Sequence, residues 1–505
     1  MCRRRFVSGS IAALSFLGPV GRNQTAHAQQ VQDSKFDAQQ VRQMARQLAQ
    51  SAYKEPERSL PKPFADLGYD EYRGIRFKPE AALWRGEDLV FQVQFFHRGF
   101  IFQDRVEIYE VSGGRVRPIL YSPGLFDFGR LNPPAENSAL GFAGFRLHAP
   151  INRPDVYDEV TAFLGASYFR ALGKGQNFGV SARGLAIATG DPKGEEFPSF
   201  RAFWLEKPVK GTASITVHAL LDSKSAAAAI RFTIRPGETT VHDVEMSLYP
   251  RAELSQAGIG PLTSMFFFDA NDRVGVDDFR PAVHDSDGLA IRNGRGEIIW
   301  RPLTNPRDLQ VSVFSDANPR GFALLQRERN FSAYEDLESH FEKRPSLWVE
   351  PIGDWGEGAV HLVEIPTKDE IHDNIVAFWR PREPLRAKGE YFFTYRLHWG
   401  DDKASGHLAE FVKTRIGSGS NDSRRFVLDL RGGGIDRADP QQLRMQVTVD
   451  KGEVHNVTLH MNPDIGGLRA SVDLVTANEP VIELRGQVLR QDEPVSEVWI
   501  YRWTS

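Results

Sequence analysis

Apolar residues recur at every second position along most of this chain, and that period admits few folds. Leu89, Phe91, Val93 and Phe95 alternate, as do Ile215, Val217 and Ala219. Met445, Val447 and Val449 repeat the pattern, and so do Leu468, Ala470, Val472 and Leu474. Gly, Asn, Asp and Pro punctuate these runs at short intervals. Side chains two positions apart share one face of a strand, so each run predicts a strand that buries one side. The sum is a large antiparallel all-β protein built of stacked sheets. No internal repeat of fixed period is visible, which argues against a propeller. One segment, 34–53, keeps helical spacing instead. Val41, Met44, Ala45, Leu48 and Ala52 share a face there, and Ser34 or Asp37 stands ready to cap the start.

The ends and the composition narrow the setting. Met1 to Val20 opens with Arg3, Arg4 and Arg5 and continues as an apolar stretch, with Ala26-His27-Ala28 as a small-x-small cleavage pattern. Residues 1–28 are expected to be a secretory signal peptide. Arg3 to Val7 also fits the twin-arginine pattern. The apolar stretch is too short for a stable membrane span, so the mature protein is expected to start near Gln29, exported to the periplasm. The only cysteine is Cys2, which leaves with the signal, so no disulfide and no thiol nucleophile remain. Stability must then come from core size, and about 475 residues suffice for two domains. Losing the four arginines of the signal takes the formal charge from −4 to −8. No basic stripe suggests a nucleic-acid partner. A mildly acidic, aromatic-rich exported protein suits a neutral polar ligand such as a sugar.

A polar segment, 401–423, interrupts the strand rhythm. It is too long for a hairpin turn and is expected to be a linker or a lid, over this chain's own groove or that of a partner subunit in a homodimer. About seven short strands follow, the size and rhythm of an immunoglobulin-like sandwich. The expected domains are 29–400 and 424–505.

Candidate chemistry concentrates in a few places. Glu364, Asp369, Glu370 and Asp373 lie within ten positions, between Pro366 and the apolar run Ile375 to Trp379. A short acidic loop pinned to an apolar scaffold is how a carboxylic acid is kept where its pKa can rise. A solvated acidic turn gives the same pattern. A second cluster, His284-Asp285-Ser286-Asp287-Gly288, also reads as a tight turn. Arg327, Arg329 and Arg344 bracket Tyr334-Glu335-Asp336, either as plain ion pairs or as groups that hold sugar hydroxyls. Most tryptophans are core, but Trp348 and Trp355 flank the turn Pro351 to Asp354, where burial is harder, and are candidates to line a sugar groove.

Other chemistries lack their residues. Gly173-Lys174-Gly175 is not followed by the serine or threonine of a phosphate loop. No metal-ligand spacing occurs among His97, His284 and His372. Asp285 and Asp287 lack the remaining ligands of a calcium loop. Gly417 to Ser420 is not a serine-hydrolase elbow. No cofactor and no metal are expected.

Several strings resemble a known family. These are Phe163–Arg170, Ser181–Ile187, Gly194–Pro198, Pro261–Phe266, His284–Ser286, Ile299–Leu303 and the acidic segment 363–379. The chain resembles the osmoregulated periplasmic glucan biosynthesis proteins G and D over essentially its whole mature length. The twin-arginine signal leans toward protein D. The resemblance implies a large galactose-mutarotase-like β-sandwich followed by an immunoglobulin-like β-sandwich, a periplasmic location and a role in making glucans with β-1,2-linked backbones. It implies a likeness to glycoside hydrolases that cleave β-1,2-glucan with inversion, and to relatives that transfer the glycosyl unit. The general acid then falls on Asp373 and the second carboxylate on Asp285. Arg344 matches a substrate-binding arginine, with Glu370, Trp348, Trp355 and Arg327 as further substrate-binding candidates. Where the family often has a tyrosine three residues before that arginine, this chain has Phe341, so a hydroxyll able to hold sugar or water is missing.

Inversion needs an acid and a base on opposite faces of the scissile bond, roughly 6.5–9.5 Å apart. Two aspartates from distant parts of the sequence suit that demand. The alternative is a non-catalytic glucan-binding protein that organises polymer for a membrane glucan synthase. A mutarotase is suggested by fold analogy alone and would need an active-site histidine pair, for which there is no clear candidate.

Overall fold

The computed structural model describes residues 35–136, 139–401 and 406–505. The expected signal peptide, 1–28, lies outside the described residues. Nearly all the regular structure is strand, as the alternating pattern predicts. A ten-stranded and a fifteen-stranded sheet dominate the described residues. They face each other across an apolar core that both sheets supply from alternate positions. Phe163 of the ten-stranded sheet meets Phe203 and Phe232 of the other with ring centroids 5.4 and 5.3 Å apart. Phe169 and Trp399 meet at 6.0 Å in the same way.

The helical segment forms as its spacing predicts. Helix α1 (Ala38–Gln50) starts at Asp37, whose carboxylate accepts the backbone N–H of Gln39. Val41 and Ala45 are buried, and they cover Trp204, Leu220, Ala229 and Tyr249 on the outer face of the fifteen-stranded sheet. The other end of this face is apolar as well, and a different layer covers it.

That layer is the C-terminal region. A four-stranded sheet (Ala409–Ser418, Arg424–Gly432, Gly467–Val475, Glu453–Asn462) packs on strands Leu443–Val449, Val481–Arg490 and Val498–Thr504. The result is a small sandwich of the expected strand number. It is not a separate body on a tether. Val498–Thr504 pairs in parallel with Ile298–Pro302 and so extends the large sheet. Ala290, Trp300, Ala323 and Leu325 of that sheet lie in the same apolar cluster as Phe426, Leu428 and Trp499.

The segment 401–423 is therefore neither linker nor lid over most of its length. Ala409–Ser418 is the first strand of the four-stranded sheet, paired with Arg424–Gly432. Ala409, Phe411 and Thr414 are buried, and those inward-facing positions hold the strand down despite the polar neighbours. Phe411 N donates to Glu497 Oε1 at 2.8 Å, which fixes the strand further.

Candidate active site

Residues 263–266 bring the two distant acidic segments together. Thr263 and Ser264 pair with Val376 and Ile375 in the ten-stranded sheet. Phe266 pairs with His284, and Asp285 N donates to Met265 O at 2.8 Å. On the other side the Asn374 side-chain amide takes both backbone groups of Phe266. Its oxygen accepts Phe266 N–H at 2.8 Å and its nitrogen donates to Phe266 O at 3.0 Å. Consecutive residues of a strand direct their backbone groups to opposite edges. Asp285 and Asp373, the latter next to Asn374, therefore flank one segment from opposite sides. Two strand spacings, about 10 Å, separate the flanking backbones.

Electrostatics tie the two acids together. Asp285 is buried, and loss of water pushes its carboxyl up to about 6. The Arg344 guanidinium opposes that rise, and the charge of Asp373 adds to it. Arg344 Nη1 lies 3.1 Å from Asp285 Oδ1, yet that oxygen accepts no hydrogen bond from the described residues. Asp373 is also raised, first by desolvation, against the pull of Arg183, Arg170 and Arg344. Its surface is exposed, while protein crowds its other sides. That combination belongs to a side chain in an open cleft, and the remaining water access tempers the shift.

Three arginines thus surround two carboxylates. Arg183 is buried; its Nε donates to Thr263 Oγ1 at 2.7 Å and its Nη1 to Glu195 Oε1 at 2.5 Å. Its guanidinium lies 4.7 Å from the centroid of the Tyr168 ring. Arg170 lies 4.5 Å from the centroid of Phe178. Arg344 has room because residue 179 is glycine: a Cβ there would meet Arg344 Cδ at 2.9 Å. Arg344 also stacks on buried Phe341 at 5.0 Å, so an apolar ring stands where a tyrosine would offer a hydroxyl.

Glu370 reaches the same region but is engaged. Arg280 Nη2 holds it at 2.6 Å and also binds Asp278, while Nη1 binds Asp336 at 2.8 Å. Glu370 anchors the loop that carries Asp373, and its charge adds to the rise at Asp285. The acidic segment is thus part solvated turn and part cleft wall.

Three expected sugar contacts lie elsewhere. Arg327 is buried and bidentate to Glu497, at 2.5 and 3.0 Å, with its guanidinium 3.7 Å from the centroid of Trp300. It joins the C-terminal sandwich to the large sheet, away from the two acids. Trp355 is also buried, packed edge-on to Phe393 and Tyr395, with Nε1 donating to Thr394 O at 3.2 Å. The turn beside it folds back far enough to enclose it. Trp348 is half-buried on the outer face of the fifteen-stranded sheet, against the C-terminal core. The rings beside the acids are Tyr168, Phe178 and Phe197 instead, the last 5.8 Å from the Arg183 guanidinium.

The arginines that matter most, Arg170 and Arg183, stand in strings with no telling spacing. Only strand parity marks them: Phe169 and Ala182 are buried, so Tyr168, Arg170 and Arg183 project from the outer face. Tyr168 pairs with Arg183, and Arg170 with Ala162. The same face continues through Arg146 and Gln94, whose side chains bond at 2.8 Å. It ends at a cavity of about 660 Å³ lined by Gln92, His148, Asp155 and Tyr157. A polar stripe, the trough, therefore runs along this sheet face from Gln92 through Arg146 and Arg170 to the pair of Tyr168 and Arg183 beside the acids. Among the described residues, no group of three or more His, Cys, Asp or Glu side chains is placed to hold a metal ion.

Fold and site together define a β-sandwich protein with an acidic pair in an open, arginine-lined trough. The chain belongs to the family described as periplasmic glucan biosynthesis protein, MdoG, whose model matches residues 36–503. It is 57% identical over 505 residues to the glucans biosynthesis protein G of Bradyrhizobium diazoefficiens, covering 100% of both chains. It is 58% identical over 502 residues to protein G of Rhodopseudomonas palustris, covering 99% of both. Protein G of Vibrio cholerae is 51% identical over 479 residues, covering 93% of this chain and 87% of that one. These relatives bear the name of protein G, which overturns the lean toward protein D. Five residues of signal could not carry that distinction. No helix among the described residues is long and apolar enough to cross a membrane.

Proposed function

We propose that this periplasmic glucan biosynthesis protein is an enzyme that cuts or transfers β-1,2-glucan with inversion. In this reading the signal directs it to the periplasm, the trough holds the polymer, and the acids act at one linkage. Asp373 protonates the departing glycosidic oxygen. Asp285 takes the proton of the incoming water or sugar hydroxyl on the opposite face. The observation that carries the reading is the placement of Asp373 and Asp285 on opposite sides of residues 263–266. Two acids that approach from opposite sides of one segment suit an acid and a base on opposite faces of the scissile bond. A carboxyl at about 6 is mostly ionised at neutral pH and still basic enough to accept a proton. Arg170, Arg183 and Arg344 supply the positive field that steadies charge at the reacting centre.

One observation favours the exchanged roles. Asp285 is the more deeply enclosed acid and holds its proton to about 6. An activated aryl β-glucoside oligosaccharide separates the two, because a good leaving group needs no acid. The Asp373→Asn variant should lose release of reducing ends from β-1,2-glucan, retain its affinity, and recover on the activated substrate. Recovery by Asp285→Asn instead would exchange the roles. Full activity of Asp373→Asn on glucan would rule Asp373 out as the acid; a wild-type chain that releases no reducing ends would remove the enzymatic reading, leaving a glucan-binding protein that serves a membrane synthase.

A further inference from the structure

A cavity of about 340 Å³ opens on the outer face of the fifteen-stranded sheet, a size at the lower end for small-molecule sites. It shares no lining residue with the trough of the ten-stranded sheet, which faces the other way. Strand parity builds it. Leu347, Val349, Leu397 and Ile291 point into the core, so Trp348, Glu350, His398 and Arg292 point outward. Helix α1 covers one end of this face and the C-terminal sandwich the other, leaving the cavity between them.

Its floor is an aromatic plate. Trp348 pairs across the sheet with His398 and leans over Gly321. A Cβ at residue 321 would come within 2.3 Å of Trp348 Cζ2, so only glycine lets the indole rest on the backbone. The half-exposed remainder of the ring lines the cavity. Around it stand Arg292 and Arg320, both exposed, and neither is held by an ion pair among the described residues. Glu350 accepts from His398 at 2.8 Å and keeps its other oxygen for a ligand. Asp401 lines the cavity as well, so two arginines face two carboxylates, a balance that does not select an anion. A flat apolar ring edged by planar polar groups matches a pyranose, whose C–H face is apolar and whose hydroxyls take bidentate partners.

We propose that this cavity is a second saccharide site, where a glucosyl unit lies on Trp348 with its hydroxyls bonded to Arg292, Arg320 and Glu350. The proposal rests on the reading that the trough binds glucan. A polymer held at two faces gains effective concentration at the acids, without any new contact there.

The test is calorimetric titration of the full mature chain carrying Asp373→Asn with a linear β-1,2-gluco-oligosaccharide. Two sites per chain are expected. Arg292→Ala with Arg320→Ala, both at exposed positions, should remove one site, and Trp348→Ala should remove the same one. Arg344→Ala should weaken only the other. Gly321→Ala, which displaces the indole, should weaken the second site at least tenfold. A single site, lost with Arg344→Ala and indifferent to Arg292→Ala and Arg320→Ala, overturns this proposal and leaves the trough reading standing. No binding at all overturns both.

Discussion

Replacing Asp285 with asparagine should stabilise the protein while destroying its activity. The carboxyl is buried, and its folded pKa of about 6 stands above the ordinary 3.8. A raised carboxyl binds its proton more tightly in the folded than in the unfolded state. Between pH 3.8 and about 6 the folded chain therefore holds more protons, and stability falls as pH rises. Above 6 the penalty is constant. A shift of about two units corresponds to about 3 kcal/mol. Asparagine keeps the shape and never ionises, so the variant escapes that penalty. Arg344 loses its 3.1 Å partner, but it is partly exposed and can turn to water. Chemical denaturation at pH 4 and pH 8 measures the difference. The variant should match the wild type at pH 4 and exceed it by up to about 3 kcal/mol at pH 8. An equal difference at both values, or a loss at pH 8, would refute the assignment of a strained, ionised Asp285.

Other outcomes follow from the same contacts. The pH profile of glucan cleavage should show an acid limb near 6, where Asp285 loses its proton and becomes a base; Asp285→Asn should abolish the activity that defines it. Asn374→Ala removes the amide that fixes Phe266 and so frees Asp373; kcat should fall at least tenfold with KM little changed, read by steady-state kinetics. Glu497→Ala removes the bidentate carboxylate from the buried Arg327 guanidinium, which should cost about 3–5 kcal/mol in denaturant melts. Trp355→Ala should cost about 3–5 kcal/mol and leave glucan affinity intact, since the ring is core.

Much of the fold is legible in one dimension because it rests on local periods. Alternation marks the strands, and the 3.6 spacing with Asp37 marks α1, since each element needs one buried face whatever its partner. The acids were legible as candidates because Asp285 and Asp373 sit in strings that resemble a family. Spacing alone left both as turns. The tryptophans mislead for a related reason. A turn beside Trp355 predicts exposure, but enclosure depends on Phe393 and Tyr395, which arrive from another strand. Arg327 near a carboxylate-rich stretch looks free until Glu497, 170 residues later, closes on it. Polar composition at 401–423 hides a strand whose inward positions, Ala409 and Phe411, are few.

The sequence by itself determined the strand-rich architecture, the amphipathic helix α1 and the two aspartates as a pair worth testing. Tertiary structure alone decided which arginines face them, because Arg170 and Arg183 reach the site through sheet register. It also decided that Trp355 and Arg327 hold the protein together and that Trp348 faces a different cavity. The physical reason is that burial and charge are properties of what surrounds a side chain. In a sheet protein those surroundings come from residues far away in the chain, and the field at Asp285 is the sum of Arg170, Arg344 and the loop that carries Glu370 and Asp373, three separate segments.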